Sequence, residues 1–136
     1  MAHRIDFESL FSLKGRIALI SGASSGLGEH FAQVLSGAGA HVVVAARRSA
    51  KLTSLVQMLR DQGGKADAIT MDVTSRESVR DAFEAFDAQF TQLDILVNNA
   101  GIANPPLRFV DATGDDWGPV LAVSYTHLRA HETPIN

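Results

Sequence analysis

No cysteine occurs in the 136 residues, which excludes a disulfide framework and thiolate chemistry and suits the reducing cytoplasm. Long apolar runs are missing as well: none approaches the roughly 20 residues that a membrane-spanning helix needs. The opening Met1-Ala-His-Arg-Ile-Asp-Phe-Glu8 is charged where a secretory signal would carry an apolar core. Nor is there an excess of positive charge, since a formal net charge of −3 leaves no broad basic field for nucleic acid. What remains is 46% apolar and 20% charged residues, the balance of a globular chain with room for one domain. A cytoplasmic protein with neither membrane nor nucleic acid as partner is expected.

The informative stretch is Arg16-Ile-Ala-Leu-Ile-Ser-Gly-Ala-Ser-Ser-Gly-Leu-Gly28. Ile17 to Ile20 have the apolar character of a strand buried on both faces. Gly22, Gly26 and Gly28 follow at once, and helical periodicity begins without a gap. Glycines admit a ligand where a Cβ would clash, and the new helix aims its unpaired N–H groups at whatever lies over the turn. Gly22, Ser24, Ser25, Gly26, Leu27 and Gly28 therefore form a candidate anion site, most naturally for a diphosphate. The alternative is a tight turn whose glycines serve packing alone.

Strand and helix patterns then alternate. Leu27, Phe31, Val34, Leu35 and Ala38 recur at helical spacing as one apolar stripe, and Gly37 and Gly39 end that helix. His41 to Ala46 reads as a second buried strand. Ser49 is a candidate cap for a helix with Leu52, Leu55, Val56 and Leu59 on its inner face, stopped by Gly63-Gly64. Lys65 to Met71 reads as a third strand. Thr74-Ser-Arg-Glu77 has the form of a capping box before the stripe Val79, Phe83, Phe86 and Phe90. Leu93 to Val97 reads as a fourth strand. Phe7, Leu10, Phe11 and Leu13 of the lead-in are expected to pack on the domain edge.

That rhythm predicts an α/β fold, a Rossmann-type doubly wound parallel sheet, here truncated after about four strands. Ligands of such sheets bind beyond the carboxyl ends of the strands, where the remaining candidates fall. After the second strand, an NAD site usually places a carboxylate for the ribose 2′-hydroxyl. The chain instead has Arg47 and Arg48, with no acid between Glu29 and Asp61. Guanidinium groups fork onto a 2′-phosphate, so NADP is favoured over NAD. Paired arginines that merely solvate a loop are the alternative. Asp72 can accept a hydrogen bond from an exocyclic amine such as adenine's, beside the apolar Val73, although Asp before Thr-Ser is also ordinary turn chemistry. After the fourth strand, Asn98-Asn-Ala-Gly101 joins two carboxamides to two small residues. Asn99, Ala100 and Gly101 can lie close to a ribose or nicotinamide, while one or both amides could serve only to tie loop to sheet.

Together these residues resemble the classical short-chain dehydrogenase/reductase family. Ser21-Gly-Ala-Ser-Ser-Gly-Leu-Gly28 is similar to its TGxxxGxG with Ser for Thr, Asp72-Val73 to its adenine-side acid, and Asn98-Asn-Ala-Gly101 to its NNAG, in the same order. The resemblance implies NAD(P)-dependent hydride transfer between the nicotinamide and a carbonyl or alcohol carbon of a small-molecule substrate. It also implies a seven-stranded sheet and a homodimeric or homotetrameric parent. The family's catalytic Asn, Ser and Tyr-x-x-x-Lys have no counterparts in place. Asp111 to Val123 resembles the start of the helix that should end in Val-Asn, yet the sequence reads Val123-Ser124.

Val123 to Thr133 instead resembles one reading frame of a transposase adapter used for sequencing libraries. The expected organisation is thus a lead-in (1–13), an incomplete dinucleotide-binding domain (14–122) and a non-native tail (123–136). Within that tail Tyr125 and Arg129 only mimic the spacing of the catalytic pair, and His127 and His131 lack a third metal ligand. Pro119, past the first turn of a helix opening near Thr113 and Asp116, predicts a kinked or short helix. The chain as written is therefore expected to be inactive. A non-catalytic dinucleotide-binding domain, acting as sensor or scaffold, is the competing reading. A methyltransferase is disfavoured because it too would carry an acid after the second strand.

Overall fold

The computed structural model describes residues 4–101. The elements run α1 (Phe7–Phe11), β1 (Ile17–Ser21), α2 (Gly26–Gly37), β2 (His41–Ala46), α3 (Ser49–Asp61), β3 (Lys65–Thr70), α4 (Arg76–Gln89) and β4 (Ile95–Val97). The four strands form one sheet in the order β3-β2-β1-β4, every pair parallel. This is the α/β, Rossmann-like arrangement that the alternating pattern predicts. No described helix is long and apolar enough to cross a membrane.

Side chains alternate across the sheet and build a core on each face. Ile20, Val42 and Val44 pack on one side with Leu52 and Leu59 of α3 and Ala32 of α2. Leu19, Val43 and Ile69 pack on the other with Val79 and Phe86 of α4. The inner face of α3 is the expected one: Leu52, Leu55, Val56 and Leu59 are all buried. On α4, Val79 and Phe86 are buried, while Phe83 and Phe90 are partly so.

Helix α2 corrects the sequence reading. Its buried residues are Gly28 and Ala32, with Leu35 partly buried against the core, whereas Leu27 and Val34 are 67% and 54% exposed. The helix lies so near the glycine turn that only small side chains fit its inner face, and the bulky residues point outward. The lead-in is corrected for a similar reason. A five-residue helix has too little surface to bury, so Phe7, Leu10 and Phe11 stay exposed and only Leu13 packs against the core.

Two caps move by one residue. Ser49 is already helical, and Arg48 takes the cap position without a side-chain bond. Ser75, not Thr74, caps α4 by accepting from the Ser78 amide at 3.2 Å, because Thr74 is engaged by Asp72. Strand β4 is shorter than read, starting at Ile95, since Asp94 turns its carboxylate onto the neighbouring strand. Features expected at Pro119, Tyr125, Arg129, His127 and His131 lie outside the described residues.

Asp94 fastens the foot of β4 to β1. Its Oδ2 accepts from the Ile17 amide at 2.8 Å and from Gln92 Nε2 at 2.8 Å, and Arg16 lies 3.5 Å from Oδ1. The Ile17 amide is the main cause that holds this carboxyl below its ordinary pKa, helped by Gln92 and Arg16. A depressed folded pKa makes the contribution complete above the unfolded value, about 3.9, and lost as pH falls through the lower folded value. Asp94→Asn should therefore flatten the acid limb of stability below about pH 4. Urea midpoints across pH 2–7 would check this, and an unchanged acid slope would remove Asp94 from the account.

Candidate functional site

At the carboxyl ends of the strands the connections enclose a cleft of about 340 Å³. The sheet order reverses direction between β1 and β4, the kind of position at which such sheets take ligands, and the cleft reaches the ends of both strands. Gly22, Ser24 and Ser25 line it from the β1–α2 turn, Arg47 and Arg48 from the end of β2, Asp72 and Val73 from the end of β3, and Asn99, Ala100 and Gly101 from the end of β4. Residues far apart in sequence are thus brought to one cavity. Gly26, Leu27 and Gly28 of the predicted set are not on its wall. Ala46, Met71 and Thr74 are, and the sequence carried no signal for them beyond their place at the strand ends.

The glycines hold the turn by close packing. Gly22 has φ +63°, and a Cβ there would stand 2.7 Å from Ala100 Cα. A Cβ on Gly28 would meet Gly22 O at 2.4 Å and Asn99 Nδ2 at 2.5 Å. Packing against Gly22 and Asn99 thus requires glycine at position 28. Helix α2 begins at Gly26 behind the cap residue Ser25, whose side chain makes no capping bond to the first-turn amides.

Ser21, which sequence reasoning noted only as a replacement for Thr, joins two walls of the cleft. It is fully buried, and its Oγ accepts from the Asn99 amide at 3.1 Å and the Ala100 amide at 3.0 Å while donating to Val97 O at 3.3 Å. Asn99 completes the tie, its Nδ2 donating to Ser21 O at 3.3 Å and Gly22 O at 3.1 Å. The Asn99 carboxamide nitrogen thus serves the scaffold, leaving the backbone of Asn99 to Gly101 to form the wall. Buried donors left unpaired would cost about 1–3 kcal/mol each, so these bonds favour keeping the start of the loop after β4 against the glycine turn.

On the opposite wall the Asp72 carboxyl lies below its ordinary pKa. The Thr74 hydroxyl is the main cause, then the Thr74 amide, with the Arg47 charge adding to them. Arg47 and Arg48 are exposed, and Asp72 is the one carboxylate among the described residues that lines the cleft with them. Glu29, the acid in the first turn of α2, is not on the cleft wall.

Residues 16–128 match the family model described as short chain dehydrogenase. The chain belongs to the short-chain dehydrogenase family. Its relatives include 2-dehydro-3-deoxy-D-gluconate 5-dehydrogenase of Bacillus subtilis, 36% identical over 119 residues that make up 87% of this chain and 45% of that protein. Among solved structures, a gluconate 5-dehydrogenase from Burkholderia cenocepacia in complex with NADP and tartrate is 36% identical, with a TM-score of 0.78 over 88% of this chain and 47% of that one. A 3-ketoacyl-(acyl-carrier-protein) reductase from Brucella melitensis complexed with NADH is 33% identical, with a TM-score of 0.76 over 88% and 48%. This short-chain dehydrogenase sequence therefore spans less than half the length of these relatives. The two complexes between them hold NADP and NADH, so the choice of dinucleotide varies among short-chain dehydrogenase relatives of similar distance.

Proposed function

We propose that residues 14–122 are the cofactor-binding part of an NADP-preferring oxidoreductase that moves a hydride between a nicotinamide and a carbonyl or alcohol carbon of a small molecule. The observation that carries the reading is the composition of the cleft at the strand ends. The guanidinium groups of Arg47 and Arg48, which make no ion pair among the described residues, share this cleft with Ser25, the helix-start residue whose side chain makes no capping bond. The residues present suit a dinucleotide. Glycine at position 22 keeps side-chain bulk out of the junction with Ala100, and the charges on the cleft wall are two cations and one acid.

The roles follow from the chemistry of each wall. The turn residues Gly22, Ser24, Ser25 and Gly26, with the amides of Leu27 and Gly28 behind them, would take a diphosphate at the positive end of α2. Arg47 and Arg48 would fork onto a 2′-phosphate. Asp72 would accept from the adenine amine with Val73 against the ring, and Asn99, Ala100 and Gly101 would border the ribose and nicotinamide. The bound cofactor would supply the hydride; the protein residues named bind and orient it.

The chain as written is proposed to be catalytically silent. Hydride delivery to a carbonyl leaves an oxyanion that needs a proton donor in reach, and no Tyr-x-x-x-Lys is present in the sequence. The cytoplasmic parent would be a homodimer or homotetramer, with residues 123–136 a non-native tail, although the family match runs a few residues into that stretch. Titration of the chain with NADPH should give a saturable rise in nicotinamide fluorescence without turnover of carbonyl substrates. No change up to about millimolar ligand would defeat the proposal, since useful dinucleotide sites bind well below that concentration.

A further inference from the structure

Asp72 is held by four hydrogen bonds on the cleft wall, and the constraint on its carboxylate is asymmetric. Its Oδ1 accepts two bonds from Thr74, from the amide at 3.0 Å and from Oγ1 at 2.7 Å. Its own amide donates to Ser78 Oγ at 2.9 Å, and its carbonyl accepts from the Ser75 amide at 3.1 Å. Among the described residues no hydrogen bond reaches Oδ2. Backbone and one carboxylate oxygen are thus locked to the start of α4, while the second oxygen keeps its accepting capacity beside the cavity.

We propose that Thr74 is a positioning residue that fixes the rotation of the Asp72 carboxylate, so that Oδ2 faces the base of a bound dinucleotide and selects one carrying an exocyclic amine. The inference rests on the cofactor reading above and adds to it the residue that sets base selectivity. A carboxylate accepts from an amine but repels a carbonyl in the same place, and an orientation fixed before binding avoids the cost of ordering it afterwards. The Thr74 hydroxyl matters more than its amide for this purpose, because the amide alone leaves the carboxylate one bond about which to swing. The charged groups sharing the cleft are Arg47 and Arg48, and the hydroxyls around the loop are those of Thr74, Ser75 and Ser78.

The test compares two fluorescent ligands on the full chain: NADPH, and its counterpart in which hypoxanthine replaces adenine and a carbonyl replaces the amine. The wild-type chain should prefer the adenine form by about tenfold, the scale of one hydrogen bond to a charged group. In Thr74→Val the preference should fall close to unity, and the acid limb of NADPH binding should move to higher pH as Asp72 loses its strongest donor. Thr74→Ser, which keeps the hydroxyl, should retain both properties. Circular dichroism melting of each variant separates loss of the fold from loss of selectivity. Equal affinity of the wild-type chain for the two ligands would overturn the proposal while leaving the cofactor reading intact. So would full selectivity in Thr74→Val, or its loss in Thr74→Ser. Binding of neither ligand would instead overturn the cofactor reading, and this one with it.

Discussion

Gly22→Ala is expected to destabilise the fold by about 3 kcal/mol, seen as a fall in the urea midpoint at an unchanged slope. Two independent costs meet at this position. The backbone has φ +63°, where a Cβ costs about 1–2 kcal/mol. The same Cβ would also press on Ala100 Cα at 2.7 Å and Ala100 N at 2.9 Å, backbone atoms that no side-chain rotation can move aside. Crowding of this kind adds about 1–3 kcal/mol. Gly26 provides the internal comparison, because it has a similar φ of +61° but nothing within 4 Å of its Cβ position. Gly26→Ala should therefore lose only the conformational part, about 1 kcal/mol. If the two variants were equally unstable, the close approach of the β1–α2 turn to the loop after β4 would not be what requires glycine at position 22.

Arg47→Asp should change the ratio of NADPH to NADH affinity by about a hundredfold, toward NADH. Arg47 lies on the cleft wall near enough to Asp72 for its charge to lower that carboxyl, after the two Thr74 bonds. It is exposed and makes no ion pair among those of the described residues, so its replacement leaves the core untouched. The substitution removes a charge-assisted fork onto the 2′-phosphate and puts repulsion in its place, while the new carboxylate can accept from a 2′-hydroxyl. Fluorescence titrations of the wild-type chain and the variant with both reduced cofactors measure the ratio directly. The same ratio before and after would discredit Arg47 as the residue that reads the 2′ position, and Arg48 would be next to test.

The strands and the strand-end residues were legible because their signals are local: an apolar run, a break, and a polar residue just past it. Ten residues scattered from Gly22 to Gly101 could be assigned to one cavity once a parallel sheet was inferred, since that topology brings every carboxyl end to the same side. The face of α2 was not legible. Its periodicity fits the large residues Leu27, Phe31 and Val34, but the packing distance at the glycine turn admits Gly28 and Ala32 instead. Hydrophobic spacing reports where a helix could bury area, not how close its partner stands. The same blindness to distance hid the double duty of Ser21 and Asn99, whose bonds join parts of the chain 76 to 79 positions apart. With Thr74 and Ser75 adjacent, the sequence pattern fits either as the helix cap, and only the geometry around Asp72 tells which of them serves which neighbour.

The placement of β1 between β2 and β4 has a consequence for biosynthesis. Asp94, which seats β4 beside Ile17, emerges from the ribosome 77 residues later. At about 5–20 residues per second, β1 waits roughly 4–15 s with one flank bare. Throughout that interval the nascent polypeptide displays Ala18, Leu19 and Ile20 on an unsatisfied ladder, and shielding by a cotranslational chaperone would be most valuable then.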